Sequence, residues 1–183
     1  RLVMSGIFVQ MTGMSGAGKS TMTFLAQTRL REMGYNVEVI DGDEYREGLC
    51  KDLGFSKEDR NTNIRRLSFV GKVLSRNNVI CIMSAINPYD NIRREVKENN
   101  PLSKIVYVKC EIDTLIERDP KGLYKRALLP KTDPNHIPNF TGISDPFEEP
   151  KNADLVIDTE KQTIDESVSN LVNFILQNTG EQI

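Results

Sequence analysis

Eight residues near the start of the chain, Gly13-Met14-Ser15-Gly16-Ala17-Gly18-Lys19-Ser20, satisfy the template G-x-x-x-x-G-K-[ST] at every fixed position. That spacing suits one task, the gripping of a polyphosphate. Glycines let the backbone curl around phosphate oxygens without Cβ clashes, and a helix that follows turns its N-terminal N–H groups toward the anion. Lys19 is then expected along the β- and γ-phosphates of a nucleoside triphosphate such as ATP. The Ser20 hydroxyl is expected in the shell of a Mg²⁺ ion. The alternative is a glycine-rich turn with no ligand, which the flanking elements described below disfavour.

Asp41-Gly42-Asp43 supplies two carboxylates around a glycine. Such a pair can hold Mg²⁺, directly or through water, and one member can accept the proton of an attacking hydroxyl. The bland reading is that Asp41 ends a strand and Asp43 caps the next helix. Arg46, Arg60, Arg65, Arg66, Arg93 and Arg94 offer planar forks that match phosphate or sulfate oxygens, although helical arginines are often simply solvated. Asn63 could meet a sugar or a base edge.

These groups need elements to hold them. Residues 7–11 read as a short strand before the glycine loop, and residues 21–33 as the helix after it. Further strands are expected at 37–40, 79–83, 105–109 and 155–157, and helices at 88–99 and 113–118. A helix led by Ser56-Lys57-Glu58-Asp59 carries Ile64, Leu67, Val70, Val73 and Leu74 at helical spacing. Thr163-Ile164-Asp165-Glu166 is a capping box for a last helix with Ile164, Val168, Leu171, Val172 and Ile175 on one face. Short apolar strands alternating with helices predict an α/β fold, a three-layer, doubly wound and mainly parallel five-stranded sheet. Ligands of such sheets sit beyond the carboxyl ends of the strands, which gathers the glycine loop, Asp41 to Asp43 and residues 85–89. Residues 119–150 hold six of the eight prolines and little periodicity, the signature of a lid rather than a linker.

The 183 residues suit one domain, with 38% hydrophobic and 27% charged residues. A net charge of −2 gives no general attraction to nucleic acid or anionic lipid. No apolar run reaches the roughly 18 residues of a membrane span, and no signal peptide is visible. Three unpaired-looking cysteines (Cys50, Cys81, Cys110) fit a cytoplasmic protein, and one histidine, His136, leaves no His-based zinc site. Neither a guanine-reading N-K-x-D nor a D-x-x-G switch is present, so a compact kinase for a small substrate is expected rather than a GTPase.

The successive segments GMSGAGKST, DGDEYREGLCKDLGFSKEDRNTNIRR, INPY, RDPKGLYKRA and NFTGISDPFEEP resemble the motifs of the adenylylsulfate kinase (APS kinase) family, in order, over about residues 11–159. The resemblance implies ATP-dependent phosphorylation of adenosine 5′-phosphosulfate (APS) at the ribose 3′-hydroxyl. It assigns Gly13, Ser15, Gly16, Ala17, Gly18, Lys19, Ser20, Thr21 and Arg118 to ATP. It gives Asp43, Arg46, Phe55, Arg60, Asn63, Ile86, Asn87, Lys121, Asn139 and Phe140 to APS, with Phe55 and Phe140 stacking on its adenine. Lys19, Asp41 and Asp43 are the implied catalytic groups, and Ser20 with Asp41 the metal-side groups. A homodimer is implied too, and fusion to ATP sulfurylase occurs in the family. Glu44, Tyr45, Ala85 and Asn87 depart from the family pattern around the acceptor pocket, and the lid is several residues longer. Asn87 cannot form a phosphoserine, so direct in-line transfer is expected. A same-fold kinase for a related nucleotide such as a cytidine phosphoramidate, and a non-catalytic nucleotide-binding module, are the alternatives.

Overall fold

A computed structural model describes residues 5–179. Five parallel strands form one sheet in the order β2-β3-β1-β4-β5. In chain order they are β1 (Ile7–Thr12), β2 (Val37–Asp41), β3 (Ile80–Ser84), β4 (Ser103–Lys109) and β5 (Leu155–Asp158). The helices between and after them are α1 (Lys19–Glu32), α2 (Gly42–Glu47), α3 (Lys57–Ser75), α4 (Asp90–Asn99), α5 (Ile112–Arg118), α6 (Leu123–Ala127) and α7 (Ile164–Asn178).

The alternation of β1 divides the core. Ile7, Val9 and Met11 face a cluster built with Ala26 and Leu30 of α1 and Val168, Leu171 and Ile175 of α7. Phe8 faces the other side, with Ile64 and Leu67 of α3 and Ile92 and Val96 of α4. Every residue of β1 and β3 is buried, as expected for parallel strands covered on both faces. The polar pair Gln10 and Thr12 therefore lies on the α3–α4 side near the carboxyl end of β1, where each finds a partner. Gln10 Nε2 donates to the Arg93 carbonyl at 2.9 Å, and Thr12 Oγ1 donates to the Asn87 carbonyl at 2.8 Å.

The expected architecture is the observed one, and several boundaries move. Pro88 and Tyr89 precede α4 rather than opening it, and Tyr89 is its N-cap. Ile164 opens α7 but is 61% exposed and does not join the apolar face. A helix directly after the acid pair, offered only by the bland reading, is present as the six-residue α2. Residues 119–150 are also less loose than expected: α6 lies inside them, and their last part is tied to α3 and α4, as described below. No helix among the described residues is long and apolar enough to cross a membrane.

Candidate active site

The glycine loop joins β1 to α1 at the centre of the sheet, where connections diverge to either side. Gly16 and Gly18 have φ of +80° and +104°, which an L side chain resists. Gly13 is required for another reason: a Cβ there would lie 2.6 Å from the Val108 carbonyl oxygen of β4. Gly13 N–H donates to the Ile86 carbonyl at 3.1 Å, and Ala17 N–H to the Met14 carbonyl at 3.2 Å. The N–H groups of Ser15, Gly16 and Gly18 have no backbone acceptor among the described residues, as a site built to receive anionic oxygens requires.

Lys19, the first residue of α1, is buried and donates to the Gly13 and Met14 carbonyls at 2.5 and 2.9 Å. Burial pushes its ammonium down to about 7. The charge of Lys121 adds to the drop, and the Asp43 carboxylate partly opposes it. The lid lysine and the acid after β2 thus both act electrostatically on the loop lysine. Ser20 and Thr21 are exposed beside them in the first turn of α1.

The acid pair divides its work. Asp41 is the N-cap of α2, its Oδ1 accepting from Asp43 N–H at 2.9 Å. The capping role falls to Asp41 and not to Asp43, correcting the bland assignment. The Asp43 carboxylate is left exposed toward the loop. Arg46, one turn further along α2, donates to the Gly54 carbonyl at 3.0 Å, and its guanidinium stands 4.3 Å from the centroid of the Phe55 ring. Burial lowers the affinity of Arg46 for its proton, Arg60 lowers it further, and Asp43 opposes both. Asp43, Arg46 and Arg60 are thus neighbours.

Arg60, buried on α3, reaches the lid. Its guanidinium donates to Thr141 Oγ1 at 2.7 Å and to the Asn139 carbonyl, and it pairs with Asp145 at 3.2 Å. It also stands 6.0 Å from the Phe55 ring centroid. Phe140, between two residues that Arg60 holds, is almost buried and meets Tyr124 edge-on at 4.9 Å. Phe55 by contrast is 56% exposed. Asn139 is exposed with φ of +53°, and buried Asn63 keeps its Oδ1 without a partner among the described residues.

Asn87 does not present its side chain to this crevice. Its Nδ2 donates back to Gln10 Oε1 at 3.0 Å, and its carbonyl accepts from Thr12 and from Arg93. Any part of Asn87 in substrate binding therefore falls to its backbone, since its side chain, on a buried turn residue with φ of +50°, fastens the end of β3 to β1. Ile86 borders the glycine loop through its carbonyl, which Gly13 and Thr12 share. Arg118, exposed at the end of α5, has its guanidinium 4.0 Å from Cys110 Sγ.

Sequence reasoning passed over Tyr124, and read Arg93 only as a fork for anionic oxygens. Arg93 is fully buried and joins Thr12 Oγ1, at 3.0 Å, to the Glu148 carbonyl of the lid. Tyr124, 1% exposed, donates its hydroxyl to the Ser15 carbonyl of the glycine loop at 2.7 Å. The signal for Tyr124 was its place in RDPKGLY. For Arg93 no local signal exists, because its partners lie far away in sequence.

Comparison with known proteins agrees with this geometry. Residues 5–158 match the family model described as adenylylsulphate kinase. A protein of Rippkaea orientalis named adenylyl-sulfate kinase is 47% identical over 91% of the chain and 89% of its own length. A Sorangium cellulosum protein named "Probable bifunctional SAT/APS kinase 2" is 48% identical over 92% of the chain, which spans only 28% of that longer relative. The Mycobacterium tuberculosis APS kinase, solved in complex with AMPPNP and APS, superposes with a TM-score of 0.85 at 36% identity, over 94% of this chain and 98% of that one. The chain belongs to the adenylylsulfate kinase family.

Proposed function

We propose that this chain transfers the γ-phosphoryl group of ATP to the ribose 3′-hydroxyl of APS, giving 3′-phosphoadenylyl sulfate and ADP. One observation carries the reading. Lys19 of the phosphate loop, exposed Asp43 in the first turn of α2, and Arg46 and Arg60, whose guanidinium groups stand 4.3 and 6.0 Å from the Phe55 ring centroid, lie on segments at the carboxyl edge of the sheet. Cations at both ends and a single exposed carboxylate between them suit two anionic nucleotides meeting head-on.

Phosphoryl transfer asks little covalent work of a protein, so position and charge supply most of the acceleration. Lys19 and Lys121 offset the charge spread over the transferring group. Asp43 accepts the proton of the 3′-hydroxyl as it attacks in line. Arg46 and Arg60 face the phosphosulfate end of the acceptor, Phe55 and Phe140 are the walls against its adenine, and Asn63 and Asn139 lie at the same mouth. Ser15 to Thr21 hold the ATP phosphates, and Arg118 lies on the nucleotide side.

Mg²⁺ fits the donor set sparingly. No group of three acidic, cysteine or histidine side chains that could hold a metal occurs among the described residues. Ser20 offers a hydroxyl and Asp41 the carboxylate oxygen that does not cap α2, so nucleotide oxygens and water would complete the shell. When bound, the ion neutralises charge on the β- and γ-phosphates.

Three free, buried cysteines agree with a reducing compartment, and we place the enzyme in the cytoplasm. A homodimer, the state expected from the family, is checked by light scattering. Coupled ADP release with APS, a 3′-hydroxyl nucleotide lacking the sulfate, and cytidine nucleotides tests the reaction. Turnover confined to APS is expected. Turnover with a cytidine compound and none with APS would overturn the acceptor, and tight ATP binding with no turnover on any of them would overturn the enzyme.

A further inference from the structure

One turn of the lid touches both halves of this site. Asp119 has φ of +29° and spends its carboxylate on the start of α6, accepting from Tyr124 N–H and Lys125 N–H, each at 3.0 Å. Gly122 N–H closes the turn on the Asp119 carbonyl at 3.0 Å. The turn holds Lys121 on one side, near Lys19, and Tyr124 on the other. From its buried position Tyr124 points two ways. Its hydroxyl donates to the Ser15 carbonyl of the phosphate loop, and the edge contact of its ring with Phe140 reaches the acceptor lip.

Phe140 cannot move by itself. Its N–H donates to Ser144 Oγ at 2.8 Å, and its carbonyl accepts from the N–H groups of Ile143, Ser144 and Asp145 at 3.1 Å. The same tight turn meets the phosphate loop a second time, since a Cβ on Gly142 would stand 2.9 Å from Met14 Sδ. The loop that grips the donor and the turn that carries the acceptor's aromatic wall are therefore packed on each other through Tyr124 and through Gly142.

We propose that Tyr124 is a positioning residue that couples the two nucleotide sites: filling the phosphate loop fixes Ser15, and through Tyr124 fixes Phe140 in its base-binding place. The inference rests on the reading of the site given above. Coupling of this kind is reciprocal, so APS must tighten nucleotide binding by the factor with which the nucleotide tightens APS binding. Tyr124 touches neither reacting atom, and its effect passes through Ser15 and Phe140.

The test is calorimetric titration of APS into wild type and Tyr124→Phe, each with and without saturating ADP, alongside titration of ADP alone. Phenylalanine keeps the ring against Phe140 and removes only the hydroxyl. Wild type is expected to bind APS at least about fivefold tighter when ADP is present, a coupling at the small end of the usual range. In Tyr124→Phe the ratio should fall toward one while APS affinity without ADP stays the same. ADP alone should bind at most about fivefold more weakly, since the hydrogen bond removed is already made without nucleotide. Hydrogen exchange on the wild type gives a readout independent of the variant: ADP alone should protect the amides of residues 140–145. An undiminished ratio in a folded Tyr124→Phe, or no protection of 140–145 by ADP, overturns the coupling. Failure of wild type to bind APS under any condition would instead overturn the acceptor assignment, and the exchange result would still judge the link from Ser15 to Phe140.

Discussion

Replacing Arg60 with methionine tests how the lid is built. The side chain keeps most of its length and loses its charge, so three lid groups lose their partner together: Thr141 Oγ1, the Asn139 carbonyl and the Asp145 carboxylate. Removing one member of a buried ion pair costs about 3–5 kcal/mol, chiefly because the other charge is left without compensation. Asp145 retains 21% side-chain exposure and can recover some hydration, which places the loss near the lower end, about 3 kcal/mol. For a chain of this size that corresponds to a melting temperature lower by about 6–12 °C. The assay is thermal unfolding of wild type, Arg60→Met, Asp145→Asn and the double variant. Removing both charges takes away the uncompensated carboxylate, so the double variant should recover about 1–2 kcal/mol relative to Arg60→Met. The KM for APS should rise in every variant that lacks Arg60, including the double one, because the acceptor side loses a cation whatever the stability does. A melting temperature for Arg60→Met within about 2 °C of wild type would refute the reasoning, since a buried three-way anchor cannot be lost at so small a cost. Additive effects of the two single changes in the double variant would likewise deny that Arg60 and Asp145 form a unit.

Asp43→Ala and Lys19→Ala should each lower kcat by at least about a hundredfold with the fold intact, as expected of groups that stabilise or create the transition state; circular dichroism with steady-state kinetics checks this. Lys19, held down to about 7 in the ligand-free site, is half deprotonated near neutrality, and a polyphosphate draws its proton back. Nucleotide binding should therefore take up protons above pH 7 and weaken as pH rises, and calorimetry in buffers of different ionisation enthalpy reads the uptake directly. The same depression makes the ligand-free protein gain stability as pH climbs from about 7 toward 10.5, because only the unfolded chain holds the extra proton in that window. Gly13→Ala should abolish tight ATP binding, since a Cβ pressed on the Val108 carbonyl must displace the loop; near-normal affinity would contradict the close approach seen there.

The phosphate loop was legible because its chemistry is local: glycine φ, a lysine and a hydroxyl at fixed spacing. The sheet was legible because strands buried on both faces leave continuous apolar runs such as residues 79–83. What escaped the sequence depends on distant partners. Helix α2 is one and a half turns long, too short for periodicity, and exists because Asp41 caps it, a role the bland reading gave to Asp43. The lid looked structureless because its order comes from Arg60 on α3 and Arg93 on α4, each tens of residues away. Arg93 shows the limit well. An arginine on a charged helix is ordinarily solvated, and this one is fully buried with Thr12, Asn87 and Glu148 accepting from its two terminal nitrogens, while its Nε has no partner among the described residues. Asn87 too is held by a distant partner, its polar side chain serving the sheet end.

The most direct trial of the central claim follows the phosphorus atom. ATP labelled on the γ-phosphate is mixed with excess enzyme and APS, the reaction is quenched within one turnover, and the nucleotides are separated and the labelled position assigned by phosphorus NMR. Label on the ribose 3′-oxygen of the sulfated nucleotide, equal in amount to the ADP formed, is the predicted result. Label recovered as inorganic phosphate or at any other position, or retained on ATP while APS is bound, would contradict it.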